Sequence, residues 1–301
     1  MRISTNSIFN GASSRLMEQQ SKLDKISMQV SSGRKMISPS DDPVASAQVL
    51  EVQQSSAINT QYAKNRLSLQ STLGIVDGTL STITETLQSI NEQVISAGNG
   101  VLSSDQLSYI GSALEGQYNQ LLALANSTDG AGHYLFAGQN TDIKPFAVSN
   151  GVVSYQGAQE QVSVKVDTFR SMDISINGES LFPNNADFFN KLKSTIDVLK
   201  SGSASASSRQ TSLAELATSL NSAMNQVNNS RASVGTRMQE IDSLNSLGSD
   251  KDLSYGQTLS SLKDLDYNKA LSDLARQQMI LQAAQKTFAQ TNNLSLFNFI
   301  G

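Results

Sequence analysis

One stripe of apolar residues constrains the fold of this chain more than any other feature of its sequence. Between residues 69 and 97 the apolar positions alternate spacings of four and three without interruption, which is typical of one face of a long α-helix. The stripe consists of Leu69, Leu73, Val76, Leu80, Ile83, Leu87, Ile90, Val94 and Ala97. At ~1.5 Å per residue this face is roughly 40 Å long. We therefore expect it to pack against other helices along its whole length.

Two further stripes could supply those helices. A shorter helix is predicted from about residue 104 to residue 126, and a seven-residue repeat returns in the second half of the chain. The first carries Leu107, Ile110, Leu114, Tyr118, Leu121 and Leu124, and the second carries Leu213, Leu220, Val227, Val234 and Ile241 with Leu216 and Leu244 in companion positions. Packing within one subunit explains these inner stripes as a helical bundle.

The two ends of the chain carry outer stripes of the same period. These are Phe9, Leu16, Leu23 and Val30 near the start and Tyr267, Leu274, Leu281 and Phe288 near the end. Two facing helices with little else to bury them are marginal alone, so we predict that neighbouring subunits complete their burial. The last residues, Leu294, Leu296, Phe297, Phe299 and Ile300, are also apolar, and we expect them to dock.

Two breaks separate the outer from the inner stripes. Gly33 can adopt the left-handed conformation that closes a helix, Asp42 is a good N-cap, and Pro43 suits a first helical position. A second break is predicted in the Gly/Ser/Asp-rich stretch from Gly248 to Gly256. We interpret the segment from Gly33 to Pro43 and this second stretch as paired hinges.

The apolar period drops to two between His133 and about Phe182. Val162, Val164 and Val166 alternate, as do Ile174 and Ile176, and turns are predicted at Asn150-Gly151 and Asn177-Gly178. A short helix, about residues 186–200, and a serine-rich linker at residues 201–208 lead back to the helical part. This middle section is predicted to be a small β-rich insertion.

The predicted fold is therefore mainly α: an elongated antiparallel coiled coil or helical bundle, formed by the N- and C-terminal segments, with a small β-rich inserted domain. Residues 1–42 and 257–301 form a terminal coiled-coil domain. Residues 43–131 and 203–256 form a helical bundle domain, and residues 132–202 form the inserted domain. A chain of this kind runs out, turns through the insertion and returns.

Composition narrows the function. Only 38% of the residues are hydrophobic and tryptophan is absent, which suits helices meeting along narrow seams. A net charge of -4 without any Lys/Arg block makes nucleic acid an unlikely partner. Cysteine is absent, so disulfides and thiolate chemistry are excluded. The N-terminus lacks the apolar region of a cleaved signal, and the longest clean apolar run, Leu121 to Ala125, is too short to span a bilayer.

No catalytic, cofactor-binding or metal site is expected. The single histidine, His133, is interpreted as solvent-facing or satisfied in preference to a catalytic base. Gly130-Ala131-Gly132 lacks the third glycine and the surroundings of a dinucleotide site. The adjacent Asp41 and Asp42 favour a helix cap over a cation site, because no further ligands alternate with them. The chain is therefore predicted not to be an enzyme.

Several local motifs resemble the flagellin superfamily. Val30-Ser31-Ser32-Gly33-Arg34-Lys35-Met36-Ile37, followed by Ser40-Asp41-Asp42-Pro43-Val44-Ala45, is similar to its N-terminal signature. Tyr134-Leu135-Phe136-Ala137-Gly138 and the closing Leu296-Phe297-Asn298-Phe299-Ile300-Gly301 resemble the branch that forms the junction between hook and filament. The resemblance covers the whole chain in order, strongly at both ends and weakly in the insertion.

This resemblance implies a location and partners. It implies a homo-oligomeric ring in the extracellular flagellum, between hook-associated protein 1 and flagellin, reached through an export chaperone and the type III export apparatus without a cleaved signal. Flagellin itself is an alternative, although Ser89 and Asn91 stand where flagellins have arginines; Glu92, Ala97, Asn99 and Gly100 are retained. A secreted helical adhesin or effector that works through the β-rich insertion is an alternative of a different class.

Overall fold

The computed structural model describes the backbone of residues 2–300 and the side chains of residue 7, residues 9–182 and residues 186–290. Over these residues the helices are α1 (Arg2–Ser32), α2 (Pro43–Ala97), α3 (Ser104–Ala125), α4 (Gly178–Leu181), α5 (Pro183–Lys200), α6 (Ala206–Lys263) and α7 (Tyr267–Ile300). The strands are β1 (Phe146–Ser149), β2 (Val152–Tyr155), β3 (Ser163–Asp167) and β4 (Arg170–Asp173). The prediction of a mainly α fold with a small β region is confirmed.

The chain divides into two compact units. The first, which we name the terminal unit, comprises Met1–Ile58 and Asp250–Gly301, and the second, the central unit, comprises Asn59–Ser249. Among the described side chains of the terminal unit, the buried apolar ones are Val49, Ala270 and Leu281. Almost all of the fully buried apolar side chains among the described residues therefore belong to the central unit.

The long inner stripe of α2 lies at the centre of that core. All nine of its residues are buried, seven of them completely. Helix α6 runs antiparallel to α2, because Gln70 bonds Asp242 at 3.2 Å and Asp77 accepts from Arg231 at 3.4 Å. Its stripe residues Leu213, Leu216, Leu220, Val227, Val234 and Ile241 are buried as well. Burial of each Val, Leu or Ile side chain contributes about 1.5–3 kcal/mol, so this seam contributes strongly to the stability of the central unit.

Helices α3 and α5 pack against each other beside this seam. A capping box begins α3, in which Ser103 and Gln106 bond each other's backbone N–H groups. Tyr118 of α3 meets Phe189 of α5 edge-on, with ring centroids 6.2 Å apart. Gly111 allows the close approach, because a Cβ there would lie 2.8 Å from Cγ of Lys200. The predicted short helix starts earlier than expected, at Pro183.

Two antiparallel hairpins make up the β region. Strands β1 and β2 are joined by the predicted turn, in which Asn150 (φ 52°) and Gly151 (φ 81°) have the left-handed values of a type I′ turn. Phe146 of β1 packs against the buried Phe182 and Phe189, with centroids 5.8 and 5.5 Å away. The insertion is thus part of the same core as the helices.

The second hairpin differs from its prediction. Strands β3 and β4 are joined at Thr168-Phe169, and β4 ends before Ile174 and Ile176. The predicted turn at Asn177-Gly178 is instead a helix start, where Asn177 Oδ1 accepts from the Glu179 N–H at 2.8 Å. The Asn-Gly pair suits both a tight turn and the start of a helix. Here Asn177 is the N-cap of α4, which begins at Gly178.

The predicted break from Gly248 to Gly256 is wrong, because α6 continues through both glycines to Lys263. Gly248 leaves room for the buried guanidinium of Arg66: a Cβ at Gly248 would lie 2.4 Å from Arg66 Nη2. The guanidinium donates to Asn245 Oδ1 at 2.7 Å and to the Val166 carbonyl at 2.8 Å. Gly248 therefore serves packing between elements, and packing overrides its low helix propensity.

Substituting Gly248 by alanine tests this explanation. Alanine improves helix propensity by about 1 kcal/mol, yet we expect a net loss of stability because Arg66 must give up its bonds to Asn245 and Val166. Gly235→Ala in the same helix is the matched control, since no atom lies within 4 Å of its added Cβ, and it should stabilise the protein. Urea denaturation measures both, and stabilisation by Gly248→Ala would contradict the packing role.

Candidate assembly site in the terminal unit

Helices α1 and α7 lie antiparallel in the terminal unit. Phe9 packs against Phe288 with ring centroids 5.4 Å apart. Further along, Gln277 Nε2 donates to the Gln19 carbonyl at 3.3 Å. The structure therefore brings together the two outer stripes that carry the predicted assembly residues.

The outer stripes are much less covered than the inner ones. Of the eight predicted residues, Leu281 is buried at 7% exposure, whereas Phe9 and Tyr267 are exposed at 44% and 50%. The other five, Leu16, Leu23, Val30, Leu274 and Phe288, are partly buried. A single α1–α7 pair thus leaves part of the apolar surface of the outer stripes exposed, and exposed apolar surface of this kind is typical of interaction sites.

The terminal unit exposes a second set of apolar side chains that the sequence analysis missed. Its most exposed members are Met17, Val44, Leu50, Leu253 and Met279, each 63–70% exposed. They follow no common seven-residue spacing, so the heptad pattern of the sequence does not indicate them. The signal that could have found them is their presence on otherwise polar helices, outside the stripe already assigned. The predicted apolar side chains from Leu294 to Ile300 lie outside the described side chains.

Gly33 ends α1 in the left-handed conformation, with φ +70°. A Cβ there would lie 2.9 Å from the hydroxyl of Tyr267, the first residue of α7. The Lys35 N–H donates to the Lys263 carbonyl at 2.8 Å, and the Leu265 N–H donates to the Gly33 carbonyl at 3.1 Å. The segment after Gly33 therefore pairs with residues 263–265, between α6 and α7, and not with Gly248 to Gly256.

Asp41 and Asp42 have separate roles. Asp42 Oδ1 accepts from the Ala45 N–H at 3.0 Å, immediately before α2 begins at Pro43. Asp41 Oδ2 accepts from the N–H groups of Ile37 and Ser38 at 2.9 and 3.1 Å. Its other oxygen lies 2.7 Å from Lys25 Nζ. Asp41 thus ties the loop after Gly33 to α1, a role that sequence reasoning did not assign.

The hydrogen bond from Lys25, with those from Ser38 and Ile37, lowers the pKa of Asp41 to about 2 from 3.8. Because the pKa of Asp41 is lower in the folded than in the unfolded chain, its ionised carboxylate stabilises the loop at every pH above 3.8. That stabilisation is lost as the pH falls from 3.8 towards about 2. The amide resonances of Ile37 and Ser38 should therefore titrate with a midpoint near 2. Asp41→Asn should abolish this titration, and a midpoint at 3.8 or above would contradict the bonding.

Sites for chemistry are sparse in the part of the chain that the structure describes. His133 is half-exposed, with Nδ1 at 3.4 Å from Asp129 Oδ2, and the same carboxylate bonds the His133 and Ala131 N–H groups. Within those residues no group of three or more potential ligands could hold a metal ion. Nor is any described helix both long enough and apolar enough to span a bilayer.

Comparison with known proteins places both ends of the chain in one family. Residues 3–141 match the bacterial flagellin N-terminal helical region, and residues 217–300 match the bacterial flagellin C-terminal helical region. Flagellar hook-associated protein 3 of Escherichia coli is 34% identical over 99% of both chains, and the Salmonella typhimurium protein of the same name matches equally well.

Solved structures agree on the fold. A hook-associated protein from Vibrio parahaemolyticus superposes with a TM-score of 0.69, at 22% identity, over 74% of this chain and 100% of its own. Flagellar hook-associated protein 3 from Legionella pneumophila superposes with a TM-score of 0.65, at 16% identity, over 71% of this chain and 98% of its own. At these identities the likeness concerns the fold alone.

Proposed function

Because the chain belongs to the flagellar hook-associated protein 3 family, a structural family of the flagellum that is not known for enzymes, we propose that it forms the junction between hook and filament by polymerising through its paired termini. The observation that carries the mechanism is the incomplete cover of the outer stripes. Seven of the eight assembly residues remain partly or largely exposed in the single chain.

Burial by neighbouring subunits would supply what α1 and α7 lack. Phe9, Leu16, Leu23, Val30, Tyr267, Leu274, Leu281 and Phe288 are the proposed interface, and assembly would bury the apolar surface that they still expose in the single chain. Coupled folding and binding of this kind prevents polymerisation before export, because an isolated pair is marginal. Gly33, Asp42 and Pro43 then act as the hinge and cap that let α1 and α2 take different directions.

The partners follow from this position in the flagellum. We propose a homo-oligomeric ring that contacts hook-associated protein 1 on the hook side and flagellin on the filament side. A flagellar export chaperone and the type III export apparatus would deliver it outside the cell without a cleaved signal peptide, and it would have no catalytic activity. The three domains predicted from the sequence have boundaries at residues 42/43, 131/132, 202/203 and 256/257. The two compact units divide instead at 58/59 and 249/250, because the insertion shares one core with the inner helices.

Flagellin is the alternative within the superfamily. Ser89, at the first position where flagellins have arginine, accepts a hydrogen bond from Gln117 Nε2 at 2.6 Å. That side chain therefore joins α2 to α3 instead of presenting a charge. Together with full-length relatives named as hook-associated protein 3, this favours a connector over a filament subunit.

Electron microscopy of a strain that lacks this chain tests the proposal. A junction protein predicts hooks without filaments and flagellin monomers shed into the medium. Filaments that still form on the hooks would overturn it, and loss of adhesion from a normally flagellated strain would support the adhesin.

A substitution on the surface of the β-rich insertion distinguishes the adhesin hypothesis from the junction-protein hypothesis. Deleting residues 141–180 would open the core, because Phe146, Val153 and Met172 are buried in it. Phe169→Ser is preferable, since Phe169 is 99% exposed at the tip of the β3–β4 hairpin. A junction protein should keep its filaments with this change, whereas an adhesin that works through the hairpin should lose binding.

A further inference from the structure

The β1–β2 hairpin is a two-stranded sheet, so among the described residues no third strand covers either of its outer edges. Its two-residue turn makes Ser149 and Val152 the hydrogen-bonded pair. Bonding then alternates along the ladder, so the backbone groups of Val153 point to the outer edge of β2. Those of Phe146 point to the outer edge of β1.

Two asparagines from different helices cover these outward groups. Asn190 of α5 accepts from the Val153 N–H at 2.8 Å and donates to the Val153 carbonyl at 3.0 Å. Asn126, which ends α3, accepts from the Phe146 N–H at 2.9 Å and donates to the Phe146 carbonyl at 3.1 Å. Each side-chain amide therefore makes the same two bonds that the backbone of an incoming strand would make.

The strands that they cover favour β pairing. Val148 and Val152 are β-branched and are 50% and 55% exposed near the tip of the hairpin. Asparagine is also a poor residue for the interior of a helix such as α5, so helix propensity does not explain Asn190. An uncovered edge beside exposed valines is a template for association.

We propose that Asn126 and Asn190 are edge guards, which occupy both edges of the β1–β2 hairpin and stop it from pairing with the same hairpin of a second copy. The partner excluded is thus a β-strand of this chain. The proposal does not depend on the proposed function, because it concerns the central unit and a type of contact that helical polymerisation does not use.

Three variants of the full chain test the guard role at Asn190, on the edge of β2. Asn190→Ala uncovers the Val153 edge, so its amide should exchange about fivefold to tenfold faster, and thioflavin T and infrared spectra should show intermolecular β structure. Asn190→Asp keeps an acceptor for the Val153 N–H and adds an edge charge, so it should not associate. Asn119→Ala, at an exposed position of α3, is the matched control and should behave like the parent chain.

The aspartate variant separates edge pairing from instability, since both changes at Asn190 remove a hydrogen bond. If the alanine variant alone gains intermolecular β structure, the guard role stands. If the alanine and aspartate variants associate equally, in proportion to their lost stability, unfolding explains the result and the proposal fails. It fails equally if Asn190→Ala associates no more than Asn119→Ala.

Discussion

Replacing Leu87 by alanine should lower the free energy of unfolding of the central unit by about 2–5 kcal/mol. Leu87 is completely buried in the α2 stripe, where the change leaves a cavity between packed helices. Urea denaturation followed by circular dichroism measures the loss. A change below about 1 kcal/mol would show that the seam repacks around the missing side chain.

Leu23→Ala in α1 is the matched substitution in an outer stripe. Leu23 is only partly buried in the single chain, so the stability of the monomer should change by about 1 kcal/mol or less. Assembly should nevertheless fail, because the same change repeats at every subunit contact. A Leu23→Ala protein that restores filaments to the deletion strain would remove Leu23 from the interface.

Replacing Gly138 by alanine should cost about 2–6 kcal/mol, the sum of a strained positive φ and of forced displacement. Gly138 has φ +64°, and a Cβ there would lie 2.2 Å from the Ala158 carbonyl oxygen and 2.8 Å from that of Glu160. Both clashing atoms belong to the backbone, so no side-chain rotation can relieve the clash. Thermal or urea unfolding measures the effect.

Gly132→Ala is the control for Gly138. Gly132 has φ +93° with no atom within 4 Å of an added Cβ, so only the conformational strain of about 1–3 kcal/mol applies. The difference between the two losses in the free energy of unfolding therefore gives the cost of the steric clash at Gly138. Equal losses would mean that residues 158–160 move away without cost.

The parts of the fold that depend on one repeating pattern could be predicted from the sequence. The spacing of the stripe from Leu69 to Ala97 defines one face of a helix without knowledge of the helix that packs on it. All of its residues are buried. The Asn150-Gly151 turn is local in the same sense, because its left-handed φ values depend on those two residues.

The parts that depend on distant partners could not be predicted in this way. Gly248 resembles a helix breaker until Arg66, far away in the sequence, is known to fill the space beside it. The true break follows Lys263, where Asp266 Oδ1 accepts from the Lys269 N–H at 3.2 Å and caps α7. Thr168-Phe169 carries no turn signal, and the hairpin that it closes is held by Arg170, which bonds Glu240 of α6 through both carboxylate oxygens.

In the candidate site, too, one part could be predicted from a repeating pattern and another part could not. The eight outer-stripe residues follow from periodicity, and the structure places their two helices side by side. The exposed Val44, Leu50 and Leu253 do not follow from periodicity, because they share no regular spacing along their helices.

Amide hydrogen exchange on the isolated monomer and on assembled junctions tests the central claim most directly. The amides of α1 between Phe9 and Val30, and of α7 between Tyr267 and Phe288, should exchange rapidly in the monomer and become protected on assembly. Those of α2 between Leu69 and Ala97 should be protected in both states. Strong protection of both terminal helices in the isolated monomer would contradict the account.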